Sequence, residues 1–76
     1  MADTISSQFG KEVRRLRLER RLSQEALAEM AGLDRTFISM VERGVRRPTL
    51  DSAKRMVDAM GLSLGEVIGS IEKRDP

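Results

Sequence analysis

Between two short stretches of helical apolar spacing, "SQEALAEMA" and "RTFISMVER", the chain leaves room only for Gly32, Leu33 and Asp34. A connection that short cannot carry the second helix back along the first, so the two must cross steeply and turn their apolar faces to a shared core. In the earlier stretch Ser23 is the expected cap, Ala26, Leu27, Met30 and Ala31 form the buried side, and Gly32 supplies the left-handed residue that ends it. In the later stretch, about 35 to 43, Asp34 is the expected cap and Gly44 the stop. At about 100° per residue, Phe37, Ile38 and Val41 fall on one arc of that helix. Ala28 and Gly32 are small where the two helices approach and where the chain turns.

The same periodicity predicts three further helices. The first, roughly 7 to 21, places Phe9, Val13 and Leu16 on one face, Leu18 elsewhere, and takes Ser6 or Ser7 as cap. A fourth starts after Thr49 and repeats Leu50, Ala53, Met56, Val57 and Met60 at intervals of three and four, up to Gly61. The fifth, about 64 to 72, opens with a capping box of Ser63 and Glu66 and continues through Val67, Ile68 and Ile71, and the tail "EKRDP" is expected to fray. No period-2 run of branched or aromatic residues suggests a strand, so the expected class is all-α, with five helices. A chain of 76 residues removes only about 60% of its unfolded surface from water, which allows one domain over 1–76 with its core at about 7–71.

Several functions are disfavoured by what is missing. With neither cysteine nor histidine, no disulfide, thiolate zinc site or imidazole ligand is expected, hence no metal and no cofactor. The carboxylates are scattered, Gly10, Gly44 and Gly65 form no phosphate loop, and no nucleophile has an adjacent base, so an enzyme is not expected. No apolar run reaches the roughly 18 residues of a membrane span, and "MADTISSQFG" lacks the basic start and apolar middle of a secretory signal, so the expected location is the cytoplasm. No pocket for a small molecule is evident.

Charge is unevenly placed. Residues 11 to 55 carry twelve Lys or Arg against seven acids, while the remainder carries two against five. Eleven of the fourteen cations are Arg, whose flat donor fork matches phosphate oxygens and the guanine edge. On the helix after Asp34, Arg35, Thr36, Ser39 and Arg43 crowd into an arc of roughly 100° opposite the apolar one. Double-stranded DNA is the partner this array fits, although a solvated surface is a competing explanation of the same charges.

The run "LSQEALAEMAGLDRTFISMVERGVRRPTL" resembles the lambda-repressor-like helix-turn-helix regulators. Gln24 stands at the first motif position, Ala28 at the fifth, Gly32 at the ninth, Ile38 at the fifteenth and Val41 at the eighteenth, and the resemblance covers about residues 8 to 70. "LDRTFISMVERG" is most similar to the controller proteins of restriction-modification systems, which often read LDRTYIS here. The resemblance implies five helices, a helix-turn-helix at 24–43, dimerisation mainly through the last helix, and operator DNA of two-fold symmetry. It assigns base edges to Arg35, Thr36 and Ser39, with Met40 offering apolar contact where repressors often have a polar reader. It assigns phosphates to Ser23, Gln24, Arg43, Arg46 and Arg47, with Arg46 also within reach of a base. Arg17 and Glu42 occupy positions that the family often joins in a partly buried ion pair. Phe37 stands where controllers frequently have Tyr. Arg14, Arg15, Arg20 and Arg21 are expected to be solvent or steering charges.

One recognition helix reads few base pairs, so a homodimer on two half-sites about 34 Å apart is expected. Leu62, Leu64, Val67, Ile68 and Ile71 supply the apolar surface for that pairing, in excess of what a short terminal helix must bury. The functional expectation is a transcriptional regulator acting on its own promoter. The alternative is an antitoxin-type or other helical interaction module that carries the same DNA-binding unit.

Overall fold

Four of the five helices start where a side-chain oxygen meets a backbone N–H that has no partner in the first turn. In the computed structural model, which describes residues 4–74, five helices follow in order: α1 (Ile5–Glu19), α2 (Gln24–Ala31), α3 (Arg35–Glu42), α4 (Leu50–Ala59) and α5 (Leu64–Arg74). No strand occurs among the described residues. Thr4, rather than Ser6 or Ser7, caps α1, accepting the Ser7 N–H at 3.1 Å, so the helix begins earlier than its apolar spacing suggests. Ser23 accepts from Ala26 at 2.9 Å and Thr49 from Ser52 at 3.0 Å. Ser63 and Glu66 bond reciprocally, at 3.0 and 3.1 Å, as a complete capping box. Asp34 holds the cap position of α3 without a side-chain hydrogen bond to its N-terminus. At the other end of the chain α5 stays helical through Arg74, and Asp75 and Pro76 of the tail expected to fray lie outside the described residues.

The first four helices end alike. In each, a left-handed residue lets the next N–H reach back five residues, as from Leu33 to the Ala28 carbonyl at 2.9 Å and from Val45 to Met40 at 3.0 Å. Three of the four left-handed residues are glycines; after α1 the place is taken by Arg21 at φ 56°. A side chain in that conformation costs about 1 kcal/mol relative to glycine.

α3 packs on α1 and α2, and α5 on α1 and α4, around Phe9, Val13, Leu27, Ile38, Val41, Met56 and Val57. The tightest approach is between α1 and α3. A Cβ placed on Gly10 would lie 2.0 Å from the Val41 carbonyl oxygen, so backbone meets backbone there and only glycine fits.

Three expectations about burial are corrected. Met30 is 55% exposed, because α2 turns only Leu27, Ala28 and Ala31 fully inward. Leu50, the first residue of α4, is 80% exposed, since the core covers that helix only from Ser52 and Ala53 onward. Val67 and Ile71, expected in a dimer interface, lie in the chain's own core where α5 rests on α1 and α4, and have no surface to offer a partner.

Candidate nucleic-acid interface

α3 is amphipathic enough to be fixed by one side and free on the other. Ile38 and Val41 are fully buried and Phe37 is half-buried against the same core, which sets the rotation of the helix about its axis. That rotation leaves Arg35 and Thr36 exposed, with Ser39 and Met40 half-exposed beside them. After Gly44 the chain turns back through exposed Arg46 and Arg47, and exposed Arg43 ends the helix with its Nε 3.4 Å from the Ser39 carbonyl. Among the described residues, Arg35 and Arg47 make no side-chain hydrogen bond or ion pair, and Arg46 meets only the Phe37 ring, its guanidinium carbon 5.5 Å from the ring centroid. Exposed guanidinium and hydroxyl groups on a rigid helix and its following turn, most of their donors unengaged, can bond base edges and phosphates of a duplex with few contacts within the chain to break.

The helix is held from behind by a buried carboxylate. Glu42 accepts from Arg17 Nε at 2.7 Å, from Arg17 Nη2 at 2.9 Å and from Gln24 Nε2 at 3.1 Å, while Arg17 Nη1 donates to the Leu22 carbonyl at 2.8 Å. Only 8% of the Arg17 side chain and 2% of Glu42 are exposed. The hydrogen bond to Glu42 is also the main reason that the Arg17 guanidinium is held still further toward its charged form. One carboxylate thus joins α1, the start of α2 and the end of α3. Gln24, assigned by motif position to phosphate, has one amide N–H engaged in this network and keeps its other donor. Ser23 accepts the capping hydrogen bond and retains a hydroxyl proton to donate.

Two of the arginines expected to be solvated, Arg15 and Arg20, are exposed and also tie elements of the fold together. Arg20 donates to the carbonyls of Met60 at 3.0 Å and Leu16 at 3.2 Å, tying the end of α1 to the end of α4. Arg15 pairs with Glu12 at 2.7 Å, and Arg74 of α5 reaches the same carboxylate at 2.8 Å. Glu12 is buried, and its carboxyl pKa lies below its ordinary 4.5, chiefly through the hydrogen bond from Arg15 and against the cost of burial. Sequence reasoning passed over Glu12 and Gly10; an isolated glycine inside a helical pattern was the available signal for the second.

Away from α3, the chain presents an apolar depression of about 250 Å³ whose walls include Ile5, Phe9, Pro48, Leu50, Leu64 and Ile68. Leu64 and Ile68 come from the expected dimerisation set, and Leu62 is likewise half-buried at the edge of the core. Ile5 and Leu50 were not foreseen, because one precedes the helix as it was expected and the other was placed in the core.

Comparison with known proteins agrees with this geometry. The helix-turn-helix family model matches residues 13–67. The control protein C.MunI of a Mycoplasma species is 37% identical over 70 residues, covering 91% of this chain and 95% of its own. The control protein C.BamHI of Bacillus amyloliquefaciens is 41% identical over 63 residues, covering 82% and 78%. Among solved structures, the restriction-modification controller C.Esp1396I bound to a 25 base-pair operator site superposes with a TM-score of 0.83, at 29% identity and 95% coverage of both chains. The same controller has been solved as a tetramer on its natural 35 base-pair operator. The chain belongs to the helix-turn-helix family, among the control proteins of restriction-modification systems.

Proposed function

We propose that this protein is a transcriptional regulator, not an enzyme, which binds two-fold symmetric operator DNA as a homodimer in the cytoplasm. The observation that carries the reading is the exposed array on α3 and its following turn: Arg35 and Thr36 exposed, Ser39 beside them, and Arg43, Arg46 and Arg47 beyond its end. In this reading Arg35 bridges the two major-groove acceptors of a guanine, Thr36 and Ser39 bond neighbouring base edges, and Met40 lends apolar contact to a thymine methyl. Ser23 and Gln24, at the N-terminus of α2, and Arg43, Arg46 and Arg47 hold the flanking phosphates. No helix is long and apolar enough to cross a membrane among the described residues.

The partner face is the depression walled by Ile5, Leu50, Leu64 and Ile68, with Leu62 at its margin. Its polar contribution is small, and an exposed apolar side chain such as Leu50 gains by leaving water against a second copy. Two copies then present two recognition helices to half-sites about one DNA turn apart, near 34 Å. Because both half-sites fill together, occupancy rises steeply with protein concentration. The reading extends to control of its own promoter, as the resemblance to restriction-modification controllers implies.

Selection of bound fragments from random duplex DNA tests the reading: an inverted repeat should emerge whose half-site centres are about one helical turn apart. Recovery without any common sequence would remove it. For the dimer, Leu50→Glu is the sharper probe than Ile68→Asp, because Leu50 is exposed in the single chain and the change leaves the core intact. The variant should keep its melting temperature at low concentration yet sediment as a monomer.

A further inference from the structure

Arg46 differs from the other exposed arginines near α3 in having an aromatic partner: its guanidinium carbon stands 5.5 Å from the centroid of the Phe37 ring. The ring is itself held, half-buried against the core that contains Ile38 and Val41. The backbone between them is fixed as well, because Gly44 adopts φ 76° and Val45 N–H closes on the Met40 carbonyl at 3.0 Å. We infer that Phe37 is a positioning residue for DNA recognition: its ring face holds the Arg46 guanidinium beside the exposed side of α3, oriented before DNA arrives. The inference rests on the DNA-binding reading above and adds to it the means by which a side chain outside the helix acts with the helix.

The physics favours an aromatic here over any other apolar residue. An arginine on a turn samples many rotamers, and freezing them on contact with DNA opposes binding. A cation lying over a ring face is drawn to the negative quadrupole, and the flat guanidinium stacks while its in-plane N–H donors stay free for phosphate or base acceptors. A leucine at position 37 would fill similar apolar space with no such face. A tyrosine would keep the face, so the hydroxyl is not required for this role. Stacking and hydrogen bonding use different directions of the guanidinium, so the contact need not be broken on binding.

The test is a double-mutant cycle on the intact protein, read against the duplex recovered by wild-type selection and against a scrambled duplex. Phe37→Leu should weaken specific binding roughly three- to five-fold, the range expected of one exposed cation–π contact. In an Arg46→Ala background the same change should cost nothing further, and Phe37→Tyr should retain at least wild-type affinity. Independent losses that multiply in the double variant would overturn the inference, as would an unchanged affinity in Phe37→Leu. Should Phe37→Leu fail to fold, the free wild-type protein still decides: the Arg46 side-chain methylene protons should show upfield ring-current shifts in its NMR spectrum, and their absence would overturn the inference. Failure of the wild type to prefer the selected duplex would instead strike at the DNA-binding reading itself.

Discussion

Arg15, Arg17 and Arg20, on or at the end of α1, and the arginines of α3 and its following turn are the same residue type put to opposite uses. On α1, Arg17 grips a buried carboxylate, Arg20 ties two helix ends together and Arg15 joins Arg74 around Glu12. At α3, Arg35 and Arg47 have no partner among the described residues, and Arg46 has only an aromatic face. A guanidinium whose donors are satisfied inside the chain contributes to stability and is unavailable to a ligand. One with free donors on a rigid helix adds little to stability and is available for recognition. The difference lies in the neighbours: Glu12, Glu42 and helix-end carbonyls surround the first group, whereas the second faces solvent beside Thr36 and Ser39.

The largest effect is expected at Arg17. Arg17→Ala leaves the Glu42 carboxylate buried with Gln24 as its one remaining donor, and should lower unfolding stability by about 3–5 kcal/mol, seen as a large drop in thermal midpoint. If the midpoint barely moves, the α1 group is not structural. At Arg47 the reverse pattern is expected. Arg47→Ala should leave the midpoint nearly unchanged, weaken binding to all duplexes together, and reduce the slope of log affinity against log salt by about one.

Acid separates the two groups by another route. Glu12 has its folded pKa depressed below 4.5, so the stability it contributes is fully present above that value and is lost as pH falls through the lower folded value. Glu12→Gln should therefore flatten the acid limb of a stability-versus-pH curve, and an unchanged limb would count against the Arg15–Glu12–Arg74 cluster. The smallest effect concerns Arg21, whose left-handed backbone glycine would adopt without strain. Arg21→Gly should stabilise by about 0.5–1 kcal/mol in chemical denaturation, leaving DNA affinity unchanged.

How far the sequence revealed these roles depended on whether the physics was local. Periodicity and caps are local, so five helices were legible from Ser23, Thr49 and the Ser63–Glu66 pair. The exposed array of α3 was legible for the same reason, since Ile38 and Val41 fix which way the helix faces. The Arg17–Glu42 pair spans 25 residues and was reachable only through family resemblance. Arg20 to Met60 spans 40 residues and carries no comparable signature, so that tie is not legible in the sequence. The partner face failed in part for a related reason. Val67 and Ile71 look the same in sequence as Leu64 and Ile68, and only the packing of α5 on α1 and α4 shows which pair the core consumes.

Arg35 separates the two uses most sharply, because it combines an exposed side chain, no internal partner among the described residues and a place at the start of α3. The decisive measurement is selection from random duplex DNA with wild-type protein and Arg35→Ala side by side, together with the affinity of each for the wild-type site. Arg35→Ala should lose about 1–3 kcal/mol on that site and relax the preference at one base pair in each half-site, with thermal midpoint unchanged. An identical base preference in the two proteins would contradict it.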